Sequence, residues 1–159
     1  TAVDYDAGIV ELARAHMDLD ALEAVIHHGD AYDYMRRYRG RGFDVVVDDV
    51  YQALEHDVAR PGAWSAETCA GLRRLVAPGG VLVVNLVTGT GHRAMQSAFR
   101  QQFRDFFPVV RSVTTPAGLN EALVGGDEVL GRRSLNSWRS AWPLEDDRRL
   151  WDRIRVRRL

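Results

Sequence analysis

Phe43-Asp44-Val45-Val46-Val47-Asp48-Asp49, followed later by Leu75-Val76-Ala77-Pro78-Gly79-Gly80-Val81-Leu82-Val83-Val84, decides how this chain folds. Each stretch holds a β-branched run of the kind that is buried on both faces of a parallel sheet. The first run ends in two carboxylates. A helical segment then leads to Pro78-Gly79-Gly80, which stops the helix and turns the chain into the next strand at 81–87. Ligands of open α/β sheets bind beyond the carboxyl ends of the strands, so Asp48 and Asp49 fall where chemistry is expected.

Working outward, strand and helix alternate from the first residue, which is the α/β signature. Residues 1–5 read as a short strand. Asp6 caps a helix whose apolar face is Ile9, Leu12, Ala13 and Met17. Residues 22–28 form a second strand closed by Gly29-Asp30, and 31–38 a short helix ended by Gly40 and Gly42. After the strand at Phe43, a polar loop runs through Arg60-Pro61-Gly62, and Ser65 caps the helix carrying Leu72, Leu75 and Val76. Gly89-Thr90-Gly91 opens a long helix with Met95, Phe99, Phe103, Phe106 and Phe107 on one side, which Pro108 stops. Residues 109–114 and 119–124 are two more strands around Pro116-Ala117-Gly118. Residues 1–142 read as one domain, and 143–159 as a basic helical tail with Leu144, Leu150, Trp151 and Ile154 as its buried stripe.

The chain has 159 residues, enough for one domain with a sizeable core. No apolar stretch approaches the ~18 residues of a membrane span, and no signal segment opens the sequence, so the expected location is the cytoplasm. The single cysteine, Cys69, excludes an internal disulfide and reads as a packing residue. All 21 basic residues are arginine. Without lysine there is no Schiff-base anchor for pyridoxal phosphate. The net charge of −1 argues against nonspecific nucleic-acid binding. The C-terminal arginines alternate with Glu145, Asp146, Asp147 and Asp152, which reads as a solvated, charge-paired helix.

Three strand ends carry candidate chemistry. Asp4, in Val3-Asp4-Tyr5-Asp6, is placed to accept two hydrogen bonds from a ribose diol, or with Asp6 to cap the following helix. Asp30, in Gly29-Asp30-Ala31, lies at the next strand end and is equally a helix cap. His27 and His28 point to opposite faces of their strand, which argues against a shared metal site. Asp49 closes the third strand.

These motifs, in this order, resemble the spermidine synthase-like branch of the class I S-adenosylmethionine-dependent methyltransferases. The resemblance implies a Rossmann-like, mostly parallel sheet with a C-terminal antiparallel strand. It implies S-adenosylmethionine, or its decarboxylated form, as cofactor. Val3-Asp4-Tyr5-Asp6 is similar to the family's Val-Glu-Ile-Asp, which puts Asp4 and Tyr5 at the ribose. Gly29-Asp30-Ala31 puts Asp30 near the adenine amino group and the Ala31 amide at a ring nitrogen. The pattern Tyr-Asp-Val-Ile-Ile-x-Asp places Asp49 on the acid that holds the cofactor's cationic amine or accepts a proton from the attacking amine. Asp48 falls on a variable position and adds local negative charge.

The departures bear on the acceptor. The family's Ser-Ser-Asp-Pro is here Val50-Tyr51-Gln52-Ala53, so Tyr51 and Gln52 face the substrate and the second carboxylate is replaced. Its Thr-Tyr-Pro-Ser-Gly is here Thr114-Thr115-Pro116-Ala117-Gly118, without the tyrosine. The resemblance therefore implies aminopropyl or methyl transfer to a small-molecule nucleophile by a chain that is not an authentic spermidine synthase, with a noncatalytic binding or assembly module as the alternative and methyl transfer to an acceptor that is not a polyamine as a third reading. The family's first strand and glycine-rich loop precede what matches residue 1. The expectation is that an upstream segment, direct pairing of strands 1–5 and 43–48, or a strand from a second copy completes the sheet. Weak or absent cofactor binding by the sequence as given is expected with it.

Overall fold

A computed structural model describes residues 1–61, 64–89, 91–116 and 118–159. The turn residues Gly62, Thr90 and Ala117, read above as part of loops, lie outside the described residues. The chain forms two compact units, Thr1–Gly40 and Arg41–Leu159.

In the first unit, β1 (Ala2–Asp4) and β2 (Ile26–His28) pair in parallel with Val3 opposite His27. Between them, α1 (Ala7–His16) starts where the Asp6 carboxylate accepts from the Gly8 amide. Its expected apolar face is not buried. Ile9, Leu12 and Met17 are more than half exposed, and Val10 is the buried residue. A two-stranded sheet is too narrow to cover a whole helix face. The strand expected over 22–28 shortens to three residues, Ile26–His28, after a 3-10 turn at Leu19–Ala21. The unit ends with α2 (Ala31–Arg37), capped by Asp30.

The second unit opens with β3 (Phe43–Asp48) and a small antiparallel hairpin of β4 (Gln52–Ala53) and β5 (Val58–Ala59). Next come α3 (Ala66–Leu75), β6 (Val76–Val87), α4 (Arg93–Phe106), β7 (Val109–Thr114) and β8 (Asn120–Gly126). The chain closes with α5 (Arg132–Leu135), a 3-10 segment at Asn136–Ala141, α6 (Glu145–Arg153) and β9 (Arg155–Arg158). The sheet order is β3-β6-β8-β7-β9. β3 and β6 are parallel neighbours, as their sequences imply, and β8 runs antiparallel between β6 and β7. β3, β6 and β7 thus share a direction that β8 and β9 oppose.

Pro78-Gly79-Gly80 does not separate helix from strand. It lies inside β6, where the register moves from Phe43 opposite Val76 to Val45 opposite Val81. Gly79 has φ +77°, and a Cβ on Gly80 would meet the Asp44 carbonyl at 2.8 Å. Glycine therefore makes the local bulge and lets the β3 backbone lie against it.

The core lies on one face of this sheet. Leu82, Val84 and Leu86 alternate along β6 with no exposed surface, as do Phe99 and Phe103 of α4 and Cys69 of α3. Each such aliphatic or phenyl side chain contributes ~1.5–3 kcal/mol of burial. Glu121 is fully buried with them, and its carboxylate accepts from Ser112 Oγ at 2.5 Å and Arg100 Nη2 at 2.7 Å. The expectation that the β3 run is buried on both faces fails. Val46 and Asp48 face the core, whereas Val45 and Val47 are 56% and 65% exposed. β3 is an edge strand, paired with β6 alone among the described residues. A β-branched run reads the same in sequence whether one or both of its faces are covered.

The tail also differs from the all-helical reading. Arg155–Arg158 is a strand added beside β7, with Val113 opposite Val156. Leu144 and Leu150 are exposed rather than buried, and α6 leans on Trp151 instead, 5.9 Å from Trp142 between ring centres. No helix among the described residues is long and apolar enough to cross a membrane.

Candidate functional site

In the first unit the two parallel strands bring Asp4 and Asp30 to the same end. Asp4 lies opposite His28, and the Asp4 carbonyl accepts from the Gly29 amide at 2.8 Å. Each carboxylate is half spent on local structure. Asp4 Oδ1 accepts from the Asp6 amide at 2.8 Å, and Asp30 Oδ1 accepts from the Tyr32 and Asp33 amides at 2.7 and 2.9 Å. The capping reading of Asp30 is thus realised, while Asp6 rather than Asp4 caps α1. The Oδ2 atoms of Asp4 and Asp30 accept nothing among the described residues. Tyr5 is exposed, its carbonyl taking a hydrogen bond from His28 Nε2 at 3.1 Å. Ala31 opens α2, where the first amides have no intrahelical partner. His27 packs on the Tyr34 ring at 4.9 Å.

In the second unit the two acids ending β3 part company. Asp48, expected to add local negative charge, points into the core instead. Its side chain and that of Arg60 are 2% and 4% exposed, with Arg60 Nη2 donating to both carboxylate oxygens at 2.6 Å. Strand alternation explains the split, since Asp48 shares the inward parity of Val46. The Arg60 guanidinium lies 5.1–5.7 Å from the ring centres of Phe99, Tyr51 and Trp64, which shields the pair. Asp49 is exposed and accepts from Asn85 Nδ2 at 2.8 Å.

Tyr51 extends the sheet beyond β3. The β3–β6 ladder ends at Asp48 opposite Val84, so beyond it the β3 side of β6 has no strand beside it among the described residues, while its other side stays paired with β8. The Tyr51 hydroxyl donates to the Asn85 carbonyl at 3.0 Å and accepts from the Val87 amide at 3.1 Å. Gln52 is exposed on the hairpin, where it sits opposite Ala59.

The hairpin and α4 enclose a cavity of about 380 Å³ that the sequence did not announce. Its walls include Val58, Arg60, Trp64, His92, Met95 and Phe99. Trp64 stacks on Phe99 with ring centres 3.9 Å apart, and its Nε1 is buried without a hydrogen-bond partner among the described residues. His92 precedes α4 and uses Nε2 to meet the Asp57 carboxylate at 3.2 Å, and it makes no side-chain cap bond to the helix. The Val58 amide, with His92 adding to it, holds the Asp57 carboxyl below its ordinary value. The signals for this cavity were a lone histidine after Gly89-Thr90-Gly91 and an acid in a polar loop, and neither reveals its partner in sequence. Cys69 is inert by environment, since burial, with Asp105 adding to it, pushes its thiol up to about 12.

No family model matches this sequence, and no curated protein is significantly similar to it. Solved structures are similar in fold. A probable spermidine synthase from Corynebacterium glutamicum ATCC 13032 matches with TM-score 0.69 at 19% identity, over 98% of this chain and 56% of its own. Human methyltransferase-like protein 13 in complex with SAH matches with TM-score 0.65 at 16% identity, over 95% of this chain and 68% of its own. Spermidine synthase from Thermotoga maritima gives 0.56 at 15%, over 77% and 42%. The chain thus spans little more than half the length of the first of these. With β3 and β6 as parallel neighbours and β8 reversed beside them, it has the spermidine synthase-like fold of class I S-adenosylmethionine-dependent methyltransferases.

Proposed function

We propose that the chain serves S-adenosylmethionine-dependent alkyl transfer, aminopropyl or methyl, to a small-molecule acceptor that is not a polyamine. The observation that carries this is the pair Asp4 and Asp30. They sit at the same end of two adjacent parallel strands, Asp4 with one oxygen spent on the Asp6 amide and Asp30 with one spent on the α2 cap, each with the other left for a ligand. That donor-free pair fits a nucleoside. Asp4 would accept from the ribose hydroxyls beside Tyr5, and Asp30 from the adenine amino group, with the Ala31 amide donating to a ring nitrogen. When bound, the sulfonium cofactor supplies an electrophilic carbon. Asp49, exposed and oriented by Asn85, would hold a cationic amine or accept a proton. The protein's contribution is then positioning and exclusion of water.

The acceptor is argued from charge. Asp48 is neutralised by Arg60 and Gln52 replaces the second acid, so Asp49 is the one uncompensated carboxylate at this strand end. A diamine needs more than one such partner. The same economy favours a second reading, a nucleoside-binding module without turnover. Cofactor consumption measured by mass spectrometry, with amine, hydroxyl and thiol acceptors, separates the two. Transfer to a non-polyamine acceptor, lowered at least tenfold by Asp49→Asn, is expected (about 1.4 kcal/mol). Robust turnover of putrescine would refute the acceptor assignment. Saturable cofactor binding with no turnover across the three classes would leave the module reading.

A further inference from the structure

The cavity between the hairpin and α4 has the chemistry of a site for a hydroxylated aromatic molecule. Its walls are largely apolar, with Val58, Trp64, Met95 and Phe99 around about 380 Å³, the lower range of small-ligand pockets. No carboxylate lines it among the described residues. The acid behind its wall, Asp48, already belongs to Arg60. A cationic guest would therefore meet a guanidinium and no free acid, whereas a neutral aromatic guest meets compatible walls. One group at the cavity carries base chemistry. His92 engages Asp57 through Nε2 and leaves its other ring nitrogen without a hydrogen bond among the described residues. With Asp57 fixing the proton on Nε2, Nδ1 is the basic nitrogen. An imidazole held by a carboxylate is the usual arrangement of a general base.

We propose that this cavity binds the acceptor, that the acceptor is a phenol, and that His92 is its general base with Asp57 as the positioning residue. This rests on the alkyl-transfer reading above. A phenol ionises near 10, as tyrosine does, far below water at 15.7, so an imidazole can take its proton as the transfer proceeds. In the step, an oxygen lone pair forms the new carbon–oxygen bond. The carbon–sulfur pair leaves on the sulfur of the sulfonium donor, and the phenolic proton passes to His92 and then to water. The positive charge lost from sulfur appears on the imidazole, next to Asp57.

The test titrates the full chain with para-propylphenol and, separately, with putrescine, while nitrogen NMR follows the His92 ring. The phenol should bind saturably and move the His92 resonances, and putrescine should do neither. Met95→Trp, which fills the cavity, should weaken phenol binding at least tenfold (about 1.4 kcal/mol). His92→Gln should keep phenol binding within about threefold, yet lower transfer to it by 10²–10⁴-fold and remove the acid limb of the pH profile. Unmoved His92 resonances, indifference to Met95→Trp, or putrescine binding in the same place would overturn the proposal. So would a pH profile unchanged in His92→Gln. S-adenosylhomocysteine titrated into the same sample keeps the two claims apart. Phenol binding without cofactor binding would retain the cavity assignment and sink the transferase reading and the base role of His92. Cofactor binding without phenol binding would leave the transferase reading standing and sink both the cavity assignment and the base role of His92.

Discussion

Replacing Asp48 by asparagine tests the division of labour between the two adjacent acids. Asp48 and Arg60 are 2% and 4% exposed at the side chain and meet at 2.6 Å, so the change leaves a buried cation facing a neutral amide. Breaking a buried pair by removing one partner costs ~3–5 kcal/mol. Asparagine keeps one acceptor oxygen, so the lower end, about 3 kcal/mol, is expected. At ~2–4 °C per kcal/mol for a chain of this size, the midpoint should fall by about 6–12 °C. Tryptophan fluorescence is the suitable probe, because Trp64, Trp138, Trp142 and Trp151 all lie in the unit Arg41–Leu159. Asp49→Asn, which alters one exposed hydrogen bond to an amide, should cost less than about 1 kcal/mol. Adding Arg60→Met to Asp48→Asn removes the stranded charge, and the pair should be coupled by about 2 kcal/mol. A loss below about 1 kcal/mol for Asp48→Asn, or additive losses in the double variant, would refute the reasoning.

Two further outcomes are expected. Cys69, fully buried with its thiol pushed up to about 12, should resist alkylation in the native protein and react at a rate set by unfolding; fast labelling without denaturant would contradict this. The Asp57 carboxyl lies below its ordinary value in the folded chain, so its contribution is present above the usual carboxylate range and lost as pH falls through the depressed value. Carbon NMR should show Asp57 titrating below an unstructured aspartate, with the His92 contact loosening in the same step, and titration at or above the ordinary value would contradict it.

The sheet's central fact, β3 beside β6 in parallel, was legible because two apolar runs separated by a cappable helix have few other arrangements. So were the caps Asp6, Asp30 and Ser65, which act within three residues. What could not be read depends on neighbours far along the chain. Asp48 and Asp49 are chemically identical in sequence, and only Arg60 twelve residues on makes one of them structural. The His92–Asp57 contact spans 35 residues, and Tyr51 bonds a strand 34 residues away, so neither has a local signature. The Arg155–Arg158 strand was missed because helical acid–base spacing continues up to it, and its arginines alternate only over four residues.

The central claim is that Asp4 and Asp30 present unspent carboxylate oxygens to a nucleoside. Calorimetric titration of S-adenosylhomocysteine into the chain and into its Asp4→Ala variant tests this most directly, because the side-chain cap of α1 belongs to Asp6 and survives the change. The account predicts weak binding to the parent and binding weaker still, by about 1.5–3 kcal/mol, in the variant, the scale of hydrogen bonds to a charged group. Equal affinity for parent and variant would contradict it.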